Sequence, residues 1–192
     1  MTSERWRCFV AVPVPSAVRT ALAAAVDGWR RRPDLSGLRW SAPDRWHLTL
    51  AFLGNVTPSE ADDVARAIDR VVATLQPIRS GTSGLGGFPR ASGARVAWMG
   101  VEDAAGALAR ATVLLRAELQ VEDGAAFRPH LTLARARSQP VDLRTWISDA
   151  GSDVPRVRFD MDRVELIRSH LGSGSRYEIL HVVRMGAAVA HA

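Results

Sequence analysis

The sequence predicts an α+β fold made of two pseudo-symmetric lobes of antiparallel sheet with outer helices and a cleft between them. The tetrapeptide His-Leu-Thr-Leu occurs twice, at residues 47–50 and 130–133. Each copy stands in a half of the chain with the same order of elements, namely strand, helix, motif strand and helix. No flexible linker separates the halves, so we expect one domain over residues 1–185 and a flexible tail at 186–192.

The first half begins with a strand over residues 6–13, which contains a short apolar run. An Ala-rich helix follows from residue 16 to about residue 31, and the first motif predicts a strand over residues 47–53. The next helix has a well-marked start. Thr57 is its N-cap, Pro58 takes the first helical position, and Glu60 stands at the capping-box position.

The second half begins after residues 80–89, which we expect to be loop-like. The glycine cluster inside this stretch lacks the Gly-Lys-Ser/Thr of a P-loop, and it predicts a strand or hairpin with a tight bend rather than a phosphate cradle. The remaining predicted elements are a strand at 95–101, a helix at 104–120 whose inner stripe is Leu108, Leu114, Leu115 and Leu119, the motif strand at 129–135, a short helix at 141–150, and strands at 157–166 and 177–183.

Each motif offers an imidazole and a hydroxyl on one face of a strand. Its two leucines can enter a core, while His47 and Thr49, about 7 Å apart along the strand, face the other way. The second copy offers His130 and Thr132 in the same manner. Side by side, the two strands would supply a base, an acid and neutral donors for phosphate oxygens, as metal-free phosphoryl transfer requires. Amphipathic strands with surface histidines, or an old duplication without chemistry, would give the same pattern.

A likeness to one known family covers nearly the whole chain. It is carried by Arg-Trp at 39–40, by Trp-His-Leu-Thr-Leu-Ala-Phe-Leu-Gly at 46–54 and by Phe-Arg-Pro-His-Leu-Thr-Leu-Ala-Arg at 127–135. Shorter stretches at 7–12, 84–89, 95–101, 169–171 and 177–180 extend it. In these stretches the chain resembles the two-histidine (2H) phosphoesterase superfamily, and within it the RNA 2′,3′-cyclic phosphodiesterases, also called bacterial and archaeal 2′-5′ RNA ligases.

The resemblance implies a reaction and a role for each motif residue. The enzyme would hydrolyse a terminal 2′,3′-cyclic phosphate to a 2′-phosphate, with His130 as the general base and His47 as the general acid. Thr49 and Thr132 would donate hydrogen bonds to the non-bridging oxygens. The reverse reaction, with an RNA 5′-hydroxyl in place of water, would form a 2′-5′ bond. Without the family, the residues do not distinguish the acid from the base.

Further candidates follow the motifs or lie near them. Five positions after each histidine stand Phe52, which the resemblance implies contacts the base, and Arg135, which would approach the phosphate. Strict alternation turns both away from the cleft, so this expectation requires a bend or bulge after each motif, and otherwise Phe52 belongs to the core. Arg128 could face RNA phosphates, and Tyr177 could close the cleft or simply pack.

Composition excludes several chemistries. All 25 basic residues are Arg, which rules out lysine adenylates and Schiff bases. The net charge of +5 suits a polyanionic partner, and the resemblance implies that this partner is an RNA end or a nucleotide with a 2′,3′-cyclic phosphate. The one cysteine, Cys8, allows no intrachain disulfide and is expected to be a buried thiol. No zinc helix of the form His-Glu-x-x-His and no Gly-x-Ser-x-Gly elbow is present, so we predict no metal, no cofactor and no serine nucleophile.

No apolar run approaches the roughly 20 residues of a membrane span, and the amino terminus lacks the order of a signal peptide. We therefore expect a cytoplasmic protein with no membrane partner. Because the paired site is complete in one chain, we also expect a monomer with no obligate protein partner. The other histidines, His170, His181 and His191, are expected to take no part in catalysis. Two alternatives stay open: a 2H enzyme that acts on a small cyclic nucleotide or an ADP-ribose cyclic phosphate, and a non-catalytic module that binds RNA ends.

Overall fold

A computed structural model of the chain describes residues 4–122, 126–170 and 176–186. Most of the predicted tail, including His191, lies outside these residues, and so does Leu171 of the family-like stretch 169–171. The described residues form an α+β fold, as the sequence predicts, with one curled antiparallel sheet and helices packed on one of its faces.

The elements follow one another along the chain as β1 (Trp6–Pro13), α1 (Ser16–Trp29), β2 (Leu38–Trp40), β3 (His47–Val56), α2 (Pro58–Val72), β4 (Ile78–Phe88), β5 (Val96–Val101), α3 (Ala107–Glu118), β6 (His130–Ala136), α4 (Arg144–Ala150), β7 (Arg158–Met161), β8 (Arg163–His170) and β9 (Arg176–Arg184).

The strand order is symmetric about the two motif strands. It is β7-β4-β5-β6-β3-β1-β8-β9, with β2 paired to β6 as well. The motif strands β6 and β3 stand in the middle, and each is flanked by the strand that begins its half of the chain, β5 or β1. Across the middle, β3 and β6 share one register pair, Leu48 with Leu131. The predicted lobes therefore meet at the two motifs.

The core lies between the sheet and the helices. The motif leucines on β3 and β6 point into it and are buried, together with Leu22 of α1 and with Leu108 and Leu115 of α3. Full burial of such a side chain stabilises the fold by about 1.5–3 kcal/mol. Cys8 is buried in the same core, as predicted. The side chains that alternate with these leucines are left on the opposite face of the sheet, away from the core into which the described helices α1 to α4 pack.

The start of α2 agrees with the prediction. The Thr57 side chain accepts a hydrogen bond from the Glu60 amide at 3.2 Å, and the Glu60 carboxylate accepts one from the Thr57 amide at 2.6 Å. Pro58 takes the first helical position. Such a cap stabilises a helix by about 1 kcal/mol, so this start is set by local sequence alone.

The loop predicted over residues 80–89 is wrong for all but its last residue, because residues 80–88 belong to β4. Pairing with β5 on one side and β7 on the other holds this backbone extended despite its glycines. The register shifts between Thr82 and Leu85, so the bend expected of the glycine cluster is present inside a strand. At Gly86 a Cβ would overlap the indole of Trp98, which explains the need for glycine there.

Other predictions require correction as well, and one strand was missed. The short strand β2 was not predicted, and the single strand predicted over 157–166 is two strands, β7 and β8, separated at Asp162. The helix predicted from residue 104 begins at Ala107, because the Asp103 carboxylate accepts hydrogen bonds from the Leu108 and Ala109 amides, both at 2.9 Å.

The predicted inner stripe of α3 is right for Leu108 and Leu115 and wrong for Leu114, which is 47% exposed. Adjacent helical positions lie about 100° apart around the axis, so the helix cannot turn both Leu114 and Leu115 into the core. Within the described part of the chain, no helix is long and apolar enough to span a membrane.

Candidate active site

The register of β3 and β6 determines how the four motif side chains are arranged. Leu48 pairs with Leu131, and the strands are antiparallel. This places His47 next to Thr132 and Thr49 next to His130, on the face opposite the two buried leucines. The two imidazoles thus lie diagonally across the strand pair, each with a threonine of the other motif beside it. The structure brings together all four residues that the motifs predicted.

The bulge that the sequence argument required is present in both strands. The pairing of β1 with β3 skips Leu50, and that of β5 with β6 skips Leu133. At each of these bulges two consecutive residues are buried in the core. Both motifs therefore show the same order of burial over the six residues from the histidine onward, with the fourth and fifth buried and the sixth exposed. Phe52 and Arg135 therefore return to the face of the histidines. Phe52 is 56% exposed, which excludes its interpretation as a core residue.

Both imidazoles are held in the same way. His47 Nδ1 lies 2.8 Å from the Arg45 carbonyl oxygen, and His130 Nδ1 lies 2.7 Å from the Arg128 carbonyl oxygen. A carbonyl oxygen can only accept, so Nδ1 carries the proton in each ring. In the neutral form, Nε2 is then an acceptor on the site side, and on protonation it becomes a donor. Each ring is thus oriented to take a proton at Nε2 or to give one from it.

The surroundings of the two rings favour their neutral form. Burial, and after it the charges of Arg135 and His130, lowers the pKa of His47 to about 4, against the opposing effect of the bond to Arg45. Burial and Arg135 also lower the pKa of His130, again opposed by its carbonyl partner. The positive charge of Arg135 therefore acts on both imidazoles, in agreement with the position of Arg135 on their face of the sheet.

Aromatic rings surround His47. The Phe9 ring stacks on the imidazole with centroids 4.7 Å apart, and the Tyr177 ring meets it edge-on at 5.3 Å. The ring centroids of Phe52 and Phe9 are 6.2 Å apart. Tyr177, one of the weaker candidates from the sequence, is thus placed against a motif histidine, although it belongs to β9 at the edge of the sheet.

His130 has aromatic neighbours of its own. Phe88 meets its ring edge-on at 4.9 Å, and the Trp98 indole lies 6.1 Å away. The glycine at position 86 gives the indole its space. These contacts bury the imidazole and fix the plane of its ring, so each histidine rests between a carbonyl oxygen and two aromatic side chains.

Sequence reasoning did not identify Phe9, Phe88 and Trp98 as site residues. All three stand in stretches that carry the family likeness, at 7–12, 84–89 and 95–101, and this position was the signal that could have indicated them. Arg128, in contrast, contributes its backbone carbonyl, while its side chain is exposed and makes no hydrogen bond or ion pair within the described residues.

The two threonine hydroxyls have no hydrogen-bond partner among the residues that the structure describes, and both side chains are half-buried beside the imidazoles. They can donate to an anion that enters between the strands. Over the same residues, no group of three or more His, Cys, Asp or Glu side chains is arranged to hold a metal ion. The arrangement supplies two proton-transfer groups, two neutral donors and one cation on the same face of two adjacent strands, which suits a phosphate ester.

Comparison with known proteins gives a consistent result. A family model described as the 2′-5′ RNA ligase superfamily matches residues 17–173. The RNA 2′,3′-cyclic phosphodiesterase of Thermotoga maritima is 29% identical over 180 residues, covering 91% of this chain and 93% of that protein. The protein of the same name from Thermus thermophilus is 34% identical over 148 residues, or 69% of each chain. The crystal structure of TT0787 from Thermus thermophilus superposes with a TM-score of 0.75, at 28% identity, over 94% of this chain and 98% of that one.

Proposed function

Because the chain belongs to the 2′-5′ RNA ligase superfamily, we propose that it is an RNA 2′,3′-cyclic phosphodiesterase that hydrolyses a terminal 2′,3′-cyclic phosphate to a 2′-phosphate. One observation carries this proposal. Two imidazoles, each with Nδ1 bonded to a carbonyl oxygen, stand diagonally across two adjacent strands with a threonine hydroxyl beside each. This is the arrangement that an in-line displacement at phosphorus needs, with one proton acceptor and one proton donor.

The proposed reaction has one displacement step. His130 Nε2 takes a proton from water as the water oxygen bonds to phosphorus. The bond from phosphorus to the 3′ oxygen breaks, and His47 Nε2 gives its proton to that oxygen, leaving a 3′-hydroxyl and a 2′-phosphate. The base and acid roles follow the resemblance to the family, since the two motifs are nearly equivalent in geometry.

Charge develops on the non-bridging oxygens during this step. The hydroxyls of Thr49 and Thr132 lie beside the imidazoles and would donate hydrogen bonds to these oxygens. The guanidinium of Arg135, whose charge acts on both imidazoles, would neutralise the phosphate. Donors and cations that are fixed before the reaction stabilise the transition state without rearranging, which is a large part of catalysis at such sites.

The low pKa of His47 adds a condition to the mechanism. With a pKa of about 4 the ring is neutral in the free enzyme near pH 7, whereas a general acid must hold a proton. A phosphodiester anion beside the ring favours the imidazolium and offsets Arg135 and burial, so its binding would raise the pKa of His47. Substrate and proton are then taken up together.

The terminal base would rest on the aromatic side chains near His47. Phe52 is exposed on the site face beside Phe9, and the Phe9 ring in turn contacts Tyr177. Stacking of a base on such rings is tolerant of sequence, because each base has an aromatic face. The reverse reaction at the same groups, with an RNA 5′-hydroxyl in place of water, would form a 2′-5′ bond.

We also propose that residues 1–185 act as one domain and as a monomer, since both motifs belong to one chain. The location that we propose is the cytoplasm.

The test is product analysis. The protein is incubated with an RNA oligonucleotide that ends in a 2′,3′-cyclic phosphate, in the presence of EDTA, and the position of the phosphate in the product is determined by phosphorus NMR. A 2′-phosphate is expected. A 3′-phosphate would contradict the proposed roles, and an unchanged substrate that remains bound would favour the non-catalytic RNA-end-binding module. Turnover of small cyclic nucleotides or of an ADP-ribose cyclic phosphate alone would favour the small-substrate enzyme.

A further inference from the structure

A second arginine stands beside Arg135 on the site face. In the pairing of β2 with β6, Arg39 is directly opposite Arg135. Directly opposed residues of an antiparallel pair point to the same face, with Cα atoms about 4.5–5.5 Å apart. The neighbours of Arg39 confirm its direction, because Leu38 is buried in the core and Trp40 packs against Trp146. Arg39 therefore points to the same side as the imidazoles.

These two cations lack the partners that many other arginines have. Arg32 binds Asp34 and Asp149, for example, while Arg163 binds Asp162 and Glu165. Over residues 4–122, 126–170 and 176–186, neither Arg39 nor Arg135 forms an ion pair. Like charges placed directly opposite on a sheet are unfavourable, and anions bound beside them offset this cost.

The two arginines lie at the opposite end of the site from Phe52. Because β3 and β6 are antiparallel, the residues after the first motif lead away from Leu48 in one direction and those after the second motif lead away in the other. An RNA end carries its base and its next phosphate on different sides of the ribose. The sheet offers an aromatic surface on one side of the imidazoles and two unpaired cations on the other.

We propose that Arg39 binds the phosphodiester that joins the terminal nucleotide to the rest of the strand, so that the site is built for oligonucleotide ends rather than for cyclic mononucleotides. Arg135 then serves the cyclic phosphate and Arg39 the next phosphate along the chain. The inference rests on the proposed function and specifies its substrate class. Arg39 is a specificity residue in this account, and the proton transfers do not depend on it.

The test compares three substrates, one of which lacks the charge on the phosphodiester in question. kcat/KM is measured for a cyclic mononucleotide, for an oligonucleotide with the same cyclic end, and for that oligonucleotide with a neutral methylphosphonate at its last internucleotide linkage. Arg39→Gln should reduce the ratio of oligonucleotide to mononucleotide kcat/KM about tenfold, since a charged hydrogen bond is lost. For the wild type, the neutral linkage should lower kcat/KM by a similar factor, whereas Arg39→Gln should not distinguish the two linkages.

Salt dependence gives a second readout. The slope of log affinity against log salt concentration is negative, and each lost contact with a single-strand phosphate makes it less steep by roughly 0.7. Arg39→Gln should show this change with the oligonucleotide. Arg158→Gln is the matched control. Arg158 is an exposed arginine on β7, with β4 and β5 between it and β6, and it has no ion pair in the described part of the chain. This control should leave the ratio and the slope unchanged.

Three results would overturn the inference: an equal loss on both substrates in Arg39→Gln, no loss on either, or a wild type that is indifferent to the neutral linkage. The last measurement needs no variant, so indifference of the wild type to the neutral linkage would overturn the inference even if Arg39→Gln fails to fold. Failure of the proposed function is distinguishable, because the wild type would then not turn over the oligonucleotide with the cyclic end at all.

Discussion

Leu48 and Leu131 face each other across β3 and β6, and they are the register pair that joins the two halves of the sheet. Both side chains are buried. A slip of one residue in either strand would turn its histidine and threonine into the core, so burial of these leucines also fixes the position of the four motif side chains. In this protein the packing of the core and the geometry of the site depend on the same contact.

The threonine hydroxyls can be tested without disturbing that packing. Thr49→Val and Thr132→Val keep the branched shape and remove the donor beside each imidazole. If the hydroxyls bind the non-bridging oxygens, each change should lower kcat by about 10²–10³-fold, as for other donors to a developing oxyanion. The control is Thr20→Val on the exposed side of α1, which should leave kcat unchanged. Full activity of both motif variants would contradict the assigned role.

Phe52→Ala separates a stacking residue from a core residue. Loss of base stacking should raise KM for the cyclic oligonucleotide by about 5–100-fold, which corresponds to 1–3 kcal/mol. The free energy of unfolding should change little, because the ring is exposed after the bulge at Leu50. Val113→Ala, at a 66% exposed position on α3, is the control and should alter neither quantity. A loss of about 3–5 kcal/mol in stability in Phe52→Ala would instead indicate a core role.

Arg135→Gln should move the pH profile of kcat/KM. The positive charge of Arg135 lowers the pKa of both imidazoles, so its removal makes protonation of each ring easier and raises both pKa values. Both limbs of the bell-shaped profile are therefore expected at higher pH than in the wild type, with a lower maximum because a phosphate contact is lost. Arg158→Gln should leave the profile in place. A profile that stays fixed or moves to lower pH in Arg135→Gln would contradict this account.

The stability of the protein should depend on pH through His47. Its pKa is lowered from 6.5 to about 4 in the folded state, so above pH 6.5 the ring is neutral whether the chain is folded or not. Between pH 6.5 and 4, the unfolded chain binds a proton that the folded chain does not, and folding loses at most about 3 kcal/mol. His47→Asn removes this contribution. The unfolding free energy of the wild type minus that of the variant should therefore decrease as the pH falls from 6.5 to 4. Parallel curves of unfolding free energy against pH would show that the pKa shift is absent.

Much of the fold could be predicted where local signals are strong. The capping box at Thr57 and Glu60 is visible in four residues, and the alternation in each motif is visible in four more. The strand order could not be derived from such signals, because β2 is three residues long and β4 is rich in glycine. Both strands exist because neighbouring strands supply their hydrogen bonds.

The candidate site, like the fold, could be predicted only in part from the sequence. The motif residues could be identified because a repeated tetrapeptide marks them, and the need for a bulge followed from the roles that the family resemblance implies for Phe52 and Arg135. Phe9, Phe88 and Trp98 reach the histidines from strands whose register is set by tertiary packing, and no spacing in the sequence encodes that register. Arg39 was missed for the same reason, since its place beside Arg135 exists only through β2.

The most direct test of the two-histidine mechanism is single-turnover hydrolysis of a cyclic-phosphate oligonucleotide by wild type, His47→Ala and His130→Ala, with binding of the same substrate measured in parallel. Removal of a positioned acid or base should lower the rate by about 10²–10⁴-fold in each variant, while the dissociation constant changes by only a few-fold. A near wild-type rate in either variant would contradict the account, because the histidine it lacks would then have no part in the proton transfers.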